Sequence, residues 1–213
     1  MSDATRLHLL TTAERLFAER GIAGVSLREI GAAAGQRNNS AIQYHFESKQ
    51  GLVLAICEQR MHGVNERRLA MLDALAGDDL RALVEAFVLP LADTVRPGSF
   101  YLRFLAQLLA GPAQAPRAAL ELDVLHAMRR LIARVERCLT MLPPALRRPR
   151  FQAAAVLVVH TLAAHERQLH GHGGAPSLAL RVSDLVDATL GLLTAPASAV
   201  TRRELRAAAR RRA

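Results

Sequence analysis

The sequence predicts an all-α protein of about nine helices, and three observations predict it. Apolar residues make up 51% of the 213 positions while aromatics make up only 4%. That Ala- and Leu-rich balance favours closely packed helices over a β-sandwich, which draws on Val, Ile, Thr and aromatics. Apolar residues recur at helical spacing through most of the chain, and no stretch makes a convincing strand. Capping residues, glycines and prolines punctuate those stretches where helices would start and stop.

The first helix is expected from about Ala4 to Arg20, with Leu9, Ala13, Leu16 and Phe17 as its buried stripe and Gly21 ending it. Ser26 followed by Glu29 has capping-box spacing, so a short helix should run from about Leu27 to Ala34. Gly35 can then take the left-handed angle that turns the chain sharply. A further short helix near Asn38 or Asn39, with Ile42 and Phe46 one turn apart, would complete a helix-turn-helix. From Ser48 a long helix should continue to about Gly77, with Leu52, Ile56 and Met61 on its inner side. Asp78 or Asp79 can cap a helix to about Val95, which Pro90 should kink or end early. Ser99 can start the next, and a long stretch is expected from Arg117 to about Leu142, stopped by Pro143-Pro144. Residues 150–170 form another helix, and Ser177 can cap a last one to about Leu193. The tail TRRELRAAARRRA has Leu205 as almost its only large apolar residue and is expected to be a frayed helix or a disordered tail.

Residues 25–50 carry the strongest signal. The leading helix ending in LFAERG, then VSLREI, AAAG, YHF, ESK and a closing Leu, resembles the DNA-binding domain of TetR-type bacterial transcriptional regulators over roughly residues 5–56. Between Gly35 and Tyr44 the chain reads QRNNSAIQ, one residue longer than that pattern, with Gln36 in place of a small apolar residue, so a lengthened turn is expected. The resemblance implies a three-helix DNA-binding domain over residues 1–47 and a helical ligand-binding and dimerisation domain over 48–196, followed by a basic tail at 197–213. It further implies a homodimer through helices 150–170 and 177–193, where Ala153, Ala154, Ala163, Ala188 and Gly191 would allow close approach.

Candidate DNA-binding residues follow. Arg28 can donate twice to guanine, while Asn39, Ser40 and Gln43 suit a major groove. Of Asn38 and Asn39, one is expected to cap the reading helix and the other to face DNA. By the resemblance, Tyr44, His45 and Lys49, the chain's only lysine, would hold phosphates. Candidate effector-lining residues are Phe87, Phe100, Tyr101, Phe104, Leu108, Leu125 and Met128, with Arg103 and His126 as polar anchors, although such a stripe is more often plain core.

The formal charge of +9 fits a polyanionic partner. Within residues 1–50, however, Arg6, Arg15, Arg20, Arg28, Arg37 and Lys49 nearly cancel against Asp3, Glu14, Glu19, Glu29 and Glu47. The DNA argument therefore rests on the motif and not on net charge. Cys57 and Cys138 match no zinc or redox spacing and are expected to be inert. HERQLHGH has the spacing HExxxH and not HExxH, so His160, His165, His170 and His172 are expected on helix surfaces rather than on a metal. No phosphate loop or nucleophile elbow is present, no cofactor is expected, and the chain is not expected to be an enzyme. With no leader-like or membrane-spanning segment, it is expected to be cytoplasmic.

The expected function is a ligand-responsive regulator, acting as a repressor, that binds a near-palindromic double-stranded operator as a dimer and is released by a small-molecule effector. The rivals are a constitutive DNA-binding protein without effector and a metal-binding helical protein.

Overall fold

The computed structural model describes residues 3–35, 46–111, 126–171 and 177–211. Among these there are nine helices and no strand: α1 (Asp3–Arg20), α2 (Leu27–Ala33), α3 (Lys49–Asp73), α4 (Leu80–Ala92), α5 (Tyr101–Ala110), α6 (His126–Cys138), α7 (Pro144–Leu169), α8 (Leu178–Thr194) and α9 (Ala199–Arg210). The expected reading helix, with its lengthened turn, lies outside the described residues.

Local chemistry sets most boundaries. Ser26 and Glu29 form both halves of a capping box at the start of α2. Gly21 and Gly35 take positive φ of 79° and 67°, the left-handed turns expected of them. The Ser48 side chain accepts from the Gly51 N–H to start α3, and the Asp79 side chain accepts from the Ala82 N–H to start α4.

Pro90 is buried within α4, which ends early, at Ala92, as expected of a proline there. Three boundaries differ from expectation. Helix α3 stops at Asp73, short of Gly77. The described part of α6 ends at Cys138, before Leu142. Most notably, Pro143-Pro144 does more than halt the preceding segment. Pro144 opens α7, which thus starts six residues before the expected position 150. A first-turn proline loses no intrahelical bond and already has a helical φ. In the tail, residues 199–210 are helical, and Ser198 caps them through the Thr201 N–H.

A continuous core runs from Leu9 of α1 to Leu193 of α8. Helix α5 occupies its middle, packed against α1 on one side and α7 on the other. Phe17 of α1 stacks on Phe104 of α5 at 6.2 Å. The first helix is thus seated on the middle of the chain as well as on α2 and α3.

Candidate nucleic-acid interface and effector core

Two groups of bonds clamp the turn between α1 and α2. Glu29 Oε2 accepts from the Ser26 N–H and hydroxyl, each at 2.8 Å, while its Oε1 accepts from Arg20 Nη2 at 2.6 Å. One carboxylate therefore ties the end of α1 to the start of α2. Its pKa is lowered from 4.5 to about 2, first by the Ser26 backbone and side-chain hydrogen bonds and then by Arg20. From the other side, Lys49 Nζ donates to the carbonyl oxygens of Ile22, Ala23 and Val25 at 3.0, 3.3 and 3.1 Å. An ammonium has three donors, and here each meets a carbonyl.

Of the candidate DNA residues, Arg28 is exposed on α2 and Lys49 lies at the first position of α3. Asn38, Asn39, Ser40, Gln43, Tyr44 and His45 lie outside the described residues. Phe46 is buried in the core, with the Arg6 guanidinium 5.8 Å from its ring centroid. Gly51 carries a requirement that its sequence neighbours do not announce. A side chain there would run into the Phe46 carbonyl oxygen as the chain enters α3.

The described apolar candidates for effector lining all belong to or pack against the one continuous core, with different immediate partners. Phe87 packs on Phe151 at 5.3 Å, whereas Phe104 packs on Phe17. Phe100 lies 4.7 Å from the His170 ring and beneath the Arg103 guanidinium at 5.3 Å. Tyr101 is buried, with its hydroxyl donating to Met61 Sδ at 2.7 Å. Leu108 and Met128 are half-buried against the core, His126 is exposed, and Leu125 lies outside the described residues.

Buried polar residues that sequence reasoning passed over join these helices. Glu14 of α1 is 3% exposed and receives both Nε and Nη2 of Arg60 from α3, at 2.6 and 2.8 Å. Glu166 of α7 is fully buried and accepts the Leu102 and Arg103 N–H groups at 3.4 and 3.0 Å. It thereby satisfies free donors at the start of α5. Burial raises the Glu166 pKa despite those bonds, which pull the other way. Arg134 of α6 donates to Asp78 and to the Leu72 and Gly77 carbonyl oxygens, locking the turn that follows α3. Arg68 is fully buried on the inner face of α3. A sequence signal existed for three of them. Glu14, Arg68 and Glu166 fall within apolar stripes, beside Phe17, Leu72 and Leu162.

The histidine string also differs from a set of surface histidines. His165 is buried and Glu166 is committed to α5, while His160 is exposed. His170 is exposed as well, with Nδ1 2.9 Å from the Glu166 carbonyl oxygen. His172 lies outside the described residues. Among the described residues no group of three or more His, Cys, Asp or Glu side chains is arranged to hold a metal. Burial pushes the Cys57 thiol up to about 12 and raises Cys138 as well, which disfavours the thiolate form of both. A surface cleft of about 480 Å³ beside the end of α3 is lined by Arg130, Arg134 and Arg137. Those cations are already paired with Asp73 and Asp78. No described helix is long and apolar enough to cross a membrane.

Comparison with known proteins agrees with this architecture. Residues 9–56 match the family model of bacterial regulatory proteins, tetR family. The chain is 37% identical over 94 residues to the HTH-type transcriptional regulator AcrR of Shigella flexneri, a match covering 44% of this chain and 43% of that protein. It therefore spans less than half of that relative. The fold is similar to NalD, the secondary repressor of the MexAB-OprM multidrug efflux pump in Pseudomonas aeruginosa, at 21% identity and TM-score 0.56 over 92% of this chain and 99% of that one. It is also similar to Bacillus subtilis FadR in complex with stearoyl-CoA, at 15% identity and TM-score 0.55 over 91% and 100%. The chain thus carries a segment at residues 9–56 that matches the tetR family model, within a fold similar to that of these solved structures.

Proposed function

We propose that this chain is a homodimeric, ligand-responsive repressor in the cytoplasm that binds a near-palindromic operator and leaves it when a small molecule binds. The observation that carries the proposal is the family match over residues 9–56, together with the double clamp on the α1–α2 turn within them. Residues 1–47 would form the DNA-binding domain and 48–196 the effector and dimerisation domain. Arg28 and the segment containing Asn38, Asn39, Ser40, Gln43, Tyr44 and His45 would face the duplex. Lys49, with its donors on three carbonyls, would share its charge with phosphate while holding the turn.

Support for a dimer comes from the outer faces of α7 and α8. Ala153 and Val156 on α7, and Leu180, Ala188 and Gly191 on α8, are exposed and apolar or small. Ala154 and Ala163 are instead spent inside the chain's own core. Effector control would use the seating of α1 on α5 and the Glu14–Arg60 pair, because a shift in either α3 or α5 must be felt by α1.

Selection from a random duplex library at about physiological salt, where non-specific binding is weak, tests this function. The expected product is one inverted repeat bound by a dimer, with affinity lowered on the order of 5- to 150-fold by the effector. No enrichment from protein unfolded and refolded to strip bound ligand overturns it.

A further inference from the structure

Three arginines insert into the helical core from α3 and α6, and two of them are satisfied. Arg60 places its Nε and Nη2 on the Glu14 carboxylate. Arg134 distributes Nε, Nη1 and Nη2 over Asp78 and two carbonyl oxygens. Arg68, eight residues beyond Arg60 on α3, is 0% exposed and donates only Nη1, to Asn65 Oδ1 at 2.7 Å. Its Nε and Nη2 have no partner. Burial lowers its pKa to about 10, so it is still charged at neutral pH. Such an uncompensated buried cation is costly for a folded chain to keep.

The identity of the two free atoms matters. Nε and Nη2 form one edge of the planar guanidinium, with parallel N–H groups spaced to take both oxygens of a carboxylate. Arg60 uses that same edge for Glu14. On Arg68 the edge is vacant. Its neighbours along the helix, Val64 and Leu72, are buried apolar residues, and α4 and α6 both pack on α3.

We infer that Arg68 is the anchor for the effector's charged head, and that the effector is a carboxylic acid with an apolar body. This rests on the effector reading above and narrows it to a chemical class. The acid enters ionised, both oxygens meet the Arg68 edge, and Asn65 holds the opposite side of the guanidinium. Tyr101, Met61 and the apolar faces around them receive the remainder.

The test is isothermal titration of the full-length chain with straight-chain carboxylates from propionate to dodecanoate. Each is compared with the primary alcohol of equal length and with inorganic phosphate. Saturable binding of a carboxylate is expected, with its alcohol on the order of a hundredfold weaker, from two charge-assisted hydrogen bonds at about tenfold each. Arg68→Met should lose that preference while folding as well as the parent, since it removes an unpaired charge and keeps the side-chain length. Arg68→Lys, which keeps the charge and loses the parallel pair, should still fold and bind the acid at least about tenfold more weakly.

Equal binding of acid and alcohol, unchanged binding in both variants, or phosphate alone binding overturns the assignment, as does failure of every carboxylate. Release of a selected operator, followed by fluorescence anisotropy, separates the two levels. Acids that bind through Arg68 yet never release DNA leave the anchor standing and sink the effector role. Neutral molecules that release DNA while no acid depends on Arg68 do the reverse.

Discussion

The α1–α2 turn and the junction of α1 with α3 and α5 both hold the first helix, by different means. The turn is stitched mainly by local polar groups at its surface, Ser26 to Glu29 and Arg20 to Glu29, with Lys49 reaching back from the start of α3 to the partly buried carbonyls of Ile22 and Val25 and to that of Ala23. The junction is made by buried groups distant in sequence, Glu14 with Arg60 and Phe17 with Phe104. Surface bonds exchange readily with water and are individually weak, whereas a buried charge without its partner is expensive. The turn should therefore tolerate single losses, and the junction should not.

The sharpest way to break the contrast is Glu14→Ala. It strands the Arg60 guanidinium in a mostly buried site, and the expected loss is about 3 kcal/mol in chemical denaturation. A loss below about 1 kcal/mol would show that Arg60 swings to solvent and that the junction is no stronger than the turn. Next comes Gly51→Ala, where the added methyl meets the Phe46 carbonyl oxygen at the entry to α3. Its expected cost is about 2 kcal/mol, with weaker operator binding because the segment before α3 must shift. Unchanged stability and DNA affinity would mean that this entry repacks freely.

Ser26→Ala removes one half of the capping box and should cost about 1 kcal/mol, read from the denaturation midpoint. The smallest effect is a pH dependence. Because the Glu29 pKa falls from 4.5 to about 2 on folding, its contribution is complete above pH 4.5 and drains away as pH falls toward 2. The difference in Tm between the parent and Glu29→Gln should accordingly be constant above pH 4.5 and shrink below it. A gap that stays constant down to pH 2.5 would remove Glu29 from the clamp.

The same division separates what was legible in the sequence from what was not. Ser26 with Glu29, Gly21, Gly35, Ser48 and Asp79 act on backbone groups within a few residues, so their spacing alone announces where α2, α3 and α4 begin or α1 and α2 end. Pro143-Pro144 was legible only in part. A proline that cannot continue one helix is well placed to open another, and nothing local distinguishes the two roles. The family pattern was likewise readable, because the order of its short motifs survives without any knowledge of packing.

The sequence by itself determined the all-α class, most helix starts and the N-terminal pattern that matches the tetR family model over residues 9–56. These rest on interactions whose range is a turn or two of helix, and such interactions are written in consecutive residues. The tertiary structure alone decided that Phe104 faces Phe17 while Phe87 faces Phe151. It also decided that Glu166 serves the start of α5 and that Arg68 keeps an unpartnered edge in the core. A charged residue in an apolar stripe announces burial, but its partner lies on another helix, and only packing can say whether that partner exists.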